Sequence, residues 1–209
     1  MNRIGAATLA VIVSGVAGIA GAQTNAEVSP EARKAGEERA VNLCSTCHGP
    51  RGVSTSPEFP ILAAQRPGYL VNQINNFRSK ARAEKDAHDF MWGIAGNLDE
   101  SIIGGIAAYY AGQPPAPGRT ADTALVARGK ELFDKGSPSR GIPACGACHG
   151  ENAEGMADFP RLAGQHAKYV IKQINYIQTL VRAAPVMHGI VKDLTPEEIQ
   201  AVASYVQSK

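Results

Sequence analysis

Apolar and polar positions along the chain give no convincing strand pattern, so the expected class is all-α. One stretch stands apart: Ile4 to Ala20 carries no charge and is rich in Ala, Val, Ile and Gly. Beyond it, helix-start signals divide the chain. Ser29-Pro30-Glu31 offers an N-cap, a proline at the first helical position and an acidic first turn, which predicts a helix running to about Val41. Asp122 caps a matching segment, Thr123 to Lys135. Further helices are expected from Tyr69 to about Arg82, Ser101 to Ala111, Lys168 to about Arg182 and Ile199 to Gln207. Thr195 and Glu198 form a capping box ahead of the last, with Pro196 at its first position.

These helices fall into two similar sets. Phe59-Pro60-Ile61-Leu62-Ala63-Ala64-Gln65 matches Phe159-Pro160-Arg161-Leu162-Ala163-Gly164-Gln165, and Tyr69, Gln73, Ile74 and Asn75 match Tyr169, Gln173, Ile174 and Asn175. Agreement in such detail indicates a duplicated unit. Gly36 and Gly129 hold similar places in the first helix of each half; a mid-helix glycine costs stability, so the pair suggests close approach of another helix. Tyr109 and Tyr205 align and are candidates to pack there. Three prolines within Gly112 to Gly118 cannot continue a helix and mark a semi-extended linker. The expected domains are residues 23–112 and 122–209, with 113–121 as linker and 1–22 as a signal peptide.

The duplication carries chemistry. Cys44-Ser45-Thr46-Cys47-His48 recurs as Cys145-Gly146-Ala147-Cys148-His149, and these motifs use all four cysteines of the chain. Two cysteines three apart with a histidine directly after form the attachment signature of c-type haem. Each thiol adds to one vinyl group, and the histidine reaches the iron from the same turn. A thioredoxin-like redox pair needs no such histidine, and ligand pairs of a four-cysteine zinc site usually lie closer in sequence. Two covalent haems c are therefore expected.

The second axial ligand decides what the iron does. Beyond His48 and His149 the histidines are His88, His166 and His188, and the methionines past the initiator are Met91, Met156 and Met187. Met91 lies seven residues before Leu98, and Met187 lies seven before Leu194. Neither His88 nor His188 aligns with another ligand, and Met156 is too near Cys148 to reach the far face of the porphyrin. The matched methionines are thus the expected ligands, giving six-coordinate His/Met iron suited to one-electron transfer. The span from Phe59 to Met91 is 32 residues, against 28 from Phe159 to Met187. A carbonyl at or near Pro60 and Pro160 is the expected acceptor for the other ring N–H of each ligating histidine. Tyr69, Tyr169, Gln65 and Gln165 are candidates to bond haem propionates, or else polar residues of a domain interface. Arg78, Lys80, Arg82 and Lys85 form a basic run broken by Glu84 and Asp86, which reads first as a solvated loop and second as a docking site for an acidic redox partner.

Arg3, the apolar run and Ala20-Gly21-Ala22 fit a cleavable secretory signal, with the mature chain beginning at Gln23 in the periplasm. Export suits haem attachment outside the cytoplasmic membrane. Net charge is +2 over the 209 residues, and haem propionates would make the mature protein mildly acidic, which argues against nucleic acid as a partner.

These motifs resemble the two-haem class I cytochromes c of the cytochrome c4 type, over about Ser29 to Lys209. Ala64, where the other half has Gly164, departs from the pattern. The resemblance implies tandem cytochrome c domains related by a pseudo-twofold axis, with propionates facing across the interface. It implies haem attachment at Cys44, Cys47, Cys145 and Cys148, and axial ligation by His48, Met91, His149 and Met187. It also implies a periplasmic carrier, often membrane-associated, that takes electrons from quinol-oxidising complexes to a terminal oxidase. One alternative is a cytochrome subunit of a dehydrogenase complex, such as a flavocytochrome for sulfide or an alcohol-oxidising complex. Another is an enzyme in its own right, a two-haem peroxidase or thiosulfate oxidoreductase, which the matched methionines argue against.

Overall fold

The computed structural model describes residues 28–209, so the signal-peptide segment lies outside the described residues. Among those described, the regular structure is helical and the only β-pairing consists of isolated bridges. No helix there is long and apolar enough to cross a membrane.

In the first half, α1 (Pro30–Arg39) is capped by the Ser29 hydroxyl, which accepts from the Ala32 N–H. The helix does not stop near Val41. It widens into a π-turn (Ala40–Cys44) and continues as α2 (Ser45–His48), ending at Gly49 with φ 76°. After α3 (Pro67–Arg78) come a second π-turn (Ala87–Met91), α4 (Trp92–Ala95) and α5 (Glu100–Ala111). The second half runs α6 (Thr123–Lys135), α7 (Gly146–His149), α8 (Ala167–Gln178), α9 (Pro185–Val191) and α10 (Pro196–Gln207). The expected capping box of Thr195 and Glu198 is present. Here the chain leaves the helix at Gly136 (φ 64°) and loops through a Ser137–Ile142 bridge before the second Cys-x-x-Cys-His.

Each half is built by its first and last helices crossing, α1 on α5 and α6 on α10. The two glycines lie at the crossings. A Cβ on Gly36 would stand 2.1 Å from the Gly105 carbonyl carbon, and one on Gly129 would stand 2.0 Å from the Ala201 oxygen. Tyr205 packs beside Gly129, its Cβ 2.8 Å from where a glycine substituent would stand, whereas the atoms nearest Gly36 are backbone of Gly105 and Ile106 and the fully buried tyrosine of the first half is Tyr110. Phe133, Ile174, Val202 and Tyr205 belong to the second core; Phe77, Ile103, Ile106 and Tyr110 belong to the first.

Helices α3 and α8 end one turn earlier than their pattern predicts. Lys80 (φ 59°) and Leu180 (φ 61°) turn left-handed, and Arg82 and Arg182 then face each other as an antiparallel bridge across the two halves. The halves meet reciprocally elsewhere. The Gln65 amide bonds both the N–H (2.7 Å) and the carbonyl (3.0 Å) of Arg161, while Gln165 bonds the N–H (2.9 Å) and carbonyl (3.0 Å) of Ile61. This reciprocity is that of a pseudo-twofold axis. The proline-rich segment is strapped down: Ala116 is buried against Ile61 and Ala63, and the Arg119 N–H bonds the Gln207 carbonyl at 2.9 Å.

Candidate haem sites

The repeated Phe-Pro-x-Leu-Ala-x-Gln segment has a physical reading position by position. The proline carbonyl accepts from the motif histidine: His48 Nδ1 lies 2.9 Å from the Pro60 oxygen, and His149 Nδ1 lies 2.9 Å from that of Pro160. The phenylalanine sets its ring edge-on to that imidazole, at 6.1 Å for Phe59 and 6.5 Å for Phe159. The leucine N–H ties the segment back to the loop after the helix, at the carbonyl of Gly52 or Ala153 (2.8 Å each). The glutamine clasps the other half. With Nδ1 donating to a carbonyl, the proton sits there and Nε2 is left as a free lone pair, the form that binds a metal. Burial, partly offset by the proline carbonyl, pushes both imidazoles below the ordinary range and favours the same neutral form.

A single cavity of about 670 Å³ runs through both halves. Cys44, Cys47, His48 and Met91 line it on one side, and Cys145, Cys148, His149 and Met187 on the other. Met91 ends the second π-turn and packs on the first core, and Met187 lies in α9 and packs on the second. The remaining candidates are elsewhere. His88 is exposed beside Asp89, His188 bonds the Ile177 carbonyl, Met156 is exposed, and His166 is buried between Ser54 and Arg119 away from the cavity.

The four thiols are free of disulfides. Burial pushes Cys145 up to about 11 and raises Cys44 as well. A disulfide-exchanging thiol needs the opposite shift. Among the described residues no group of three or more His, Cys, Asp or Glu is gathered as a metal-ion site, so zinc has no assembled ligand set.

At the boundary between the halves the cavity is polar. Tyr69, Tyr169, Gln73, Gln173, Arg82, Arg182 and Glu84 line it there. Arg82 is only 6% exposed, which corrects the reading of residues 78–85 as a solvated basic run. Its neighbours are spoken for too: Arg78 pairs with Glu100, Lys85 with Asp89, and Lys80 lies over the Trp92 ring. Lys80 and Lys85 stay at the surface, and Arg82 alone of the four is buried. Gln65 and Gln165 hold the interface, as their backbone clasps show, whereas the tyrosines remain on the cavity wall. Two buried guanidiniums against one carboxylate leave a surplus positive charge, which is costly unless an anion meets it. The whole fits haem c: paired thiols and an available imidazole nitrogen on each side, apolar walls, and a cationic polar edge for carboxylates.

The Cytochrome c family model matches residues 126–209. Cytochrome c4 of Thiocapsa roseopersicina is 38% identical over 180 residues, covering 83% of this chain and 91% of that one. The chain belongs to the cytochrome c4 family. Its architecture agrees with a solved cytochrome c4 from Acidithiobacillus ferrooxidans at 35% identity and TM-score 0.75, over 79% of this chain and 98% of that one. A protein named thiosulfate dehydrogenase electron acceptor from Stutzerimonas stutzeri is 35% identical over 182 residues, 81% of this chain and 80% of that one. Like its cytochrome c4 relatives, the chain binds haem c covalently and is a two-haem electron-transfer protein, not an enzyme.

Proposed function

We propose that this chain passes electrons one at a time through two His/Met-ligated haems, His48 with Met91 and His149 with Met187, each attached through its pair of cysteines. The matched sets of two cysteines, one histidine and one methionine along one continuous cavity support this reading best. Haem iron supplies the one-electron chemistry, cycling between ferric and ferrous states. The protein does the rest. The Pro60 and Pro160 carbonyls fix the tautomer of each histidine. The buried cores keep water from the cavity walls, and Arg82, Arg182, Tyr69 and Tyr169 offer donors and positive charge at the edge where the halves meet. A six-coordinate site leaves no position for substrate, which suits a relay.

The route that fits is from a quinol-oxidising complex to a terminal oxidase, in the periplasm, after removal of residues 1–22. Residues 23–112 and 122–209 are then the two domains joined by 113–121, with peripheral association at the membrane. A second reading, acceptor for a dehydrogenase, is favoured by the relative named for thiosulfate dehydrogenase. Stopped-flow reduction of the oxidised protein separates them. Faster reduction by quinol-oxidising membranes, with reoxidation by terminal oxidase, supports the first. Faster reduction by thiosulfate dehydrogenase with its substrate supports the second.

A further inference from the structure

The arginines and glutamines between the halves form a symmetric set. Arg82 donates to Gln73 at 3.1 Å and to Gln173 at 3.0 Å, and Arg182 donates to Gln173 at 2.6 Å and to Gln73 at 2.8 Å. Each arginine thus reaches the glutamines of both halves. Arg82 alone has a carboxylate: its Nε lies 2.7 Å from Glu84 Oε1, and its Nη2 pairs with the same oxygen. The residue two beyond Arg182, where a second carboxylate would stand, is Ala184. Glu84 is 1% exposed, and its Oε2 has no hydrogen-bond partner among the described residues. Arg182 is 8% exposed and is met by two amides and the Tyr69 hydroxyl, none of them charged.

We propose that Glu84 is a potential-setting residue, whose buried charge cancels one of the two arginines and holds the reduction potentials of the paired haem sites below the values a bare arginine pair would give. This rests on the reading of the cavity as the seat of two electron-carrying haems. Each reduction adds one electron to a site and makes or breaks no bond. A fixed negative charge nearby opposes that electron, and a fixed positive charge favours it. Glu84 lines the same cavity as both histidines and is shielded from water and salt, so its field is only weakly screened. A device shared equally by the two halves would have a second carboxylate at position 184, where Ala184 stands.

The test is a potentiometric titration of haem-loaded wild type, Glu84→Gln and Ala184→Glu at one pH and ionic strength. Glu84→Gln keeps shape and removes charge. It shifts the reduction equilibria, summed over both sites, about tenfold toward the reduced protein, equivalent to about 59 mV for a one-electron couple. Ala184→Glu, at a half-buried position, shifts them the opposite way. A Glu84→Gln titration that superimposes on wild type overturns the proposal, whatever the change in stability. If Glu84→Gln does not load haem, Ala184→Glu decides alone: a lowered potential upholds the proposal and an unchanged one overturns it. The haem spectrum, taken on the same samples, reports axial ligation separately, so failure here is distinct from failure of the His/Met reading.

Discussion

Gly129→Ala adds one methyl where α6 crosses α10, and the structure says how much room that methyl has. Its nearest neighbours would be the Ala201 oxygen at 2.0 Å, the Ala201 carbon at 2.5 Å and the Tyr205 Cβ at 2.8 Å. Two of the three are backbone, so no rotamer change relieves the clash. The helices must separate by about 1 Å to restore ordinary contact, which loosens Phe133, Val202 and Tyr205 around them. Overpacking of this kind costs up to about 3 kcal/mol, and the better helix propensity of alanine returns about 1 kcal/mol. The net expectation is a loss of about 2 kcal/mol. Gly189→Ala is the control: it lies within α9 with nothing inside 4 Å, so propensity acts alone and stability rises by up to about 1 kcal/mol. Denaturant unfolding of the haem-loaded protein, followed by far-ultraviolet circular dichroism, reads both. Equal or greater stability of Gly129→Ala would refute the close crossing.

Three further outcomes follow from single contacts. Ala64 sits at φ 56° where its counterpart is Gly164 at φ 78°, so Ala64→Gly relieves left-handed strain and raises stability by about 1 kcal/mol in the same unfolding assay. Gln165→Ala strands the Ile61 N–H and carbonyl at the interface, each costing about 1–3 kcal/mol; faster proteolysis between the halves is expected, and unchanged cleavage would count against the clasp. His166 is 4% exposed, with Nδ1 2.7 Å from Arg119 and Nε2 2.8 Å from the Ser54 hydroxyl. Burial first, and Arg119 second, lower its pKa, so its contribution is full above the ordinary histidine value of about 6.5 and fades as pH falls below it. His166→Gln should therefore flatten the fall in stability between about pH 7 and pH 5, and an unchanged slope would assign that fall to other groups.

What could be read from the residues had a local physical signature. The Cys-x-x-Cys-His spacing, the caps at Ser29, Asp122 and Thr195, and the glycines at 36 and 129 each reflect constraints within one or two turns of chain. The Pro60 and Pro160 carbonyls were legible because a ligating imidazole needs an acceptor and the repeat offered a matched pair. The interface was harder. Arg82 reads as surface because its run is basic, yet the left-handed turn at Lys80 swings it inward to meet Arg182 from the other half. Gln65 and Gln165 read equally as propionate-bonding amides and as polar residues of a domain interface, and only the folded chain decides for the second, because their partners are backbone groups about a hundred residues away. The link from Ser54 through His166 to Arg119 joins both halves and the strap between them, so it too is invisible until the chain is folded.

The central claim is that both haems are held by histidine and methionine, and the most direct measurement is the oxidised absorption spectrum of wild type, Met91→Ala and Met187→Ala, normalised to haem content. A thioether–ferric bond gives a weak long-wavelength band in the red. Two such sites predict a wild-type intensity of two bonds per chain, one lost in each variant, with the potential of the altered haem falling. A wild-type band worth a single bond, or a methionine variant that leaves it unchanged, would contradict the account.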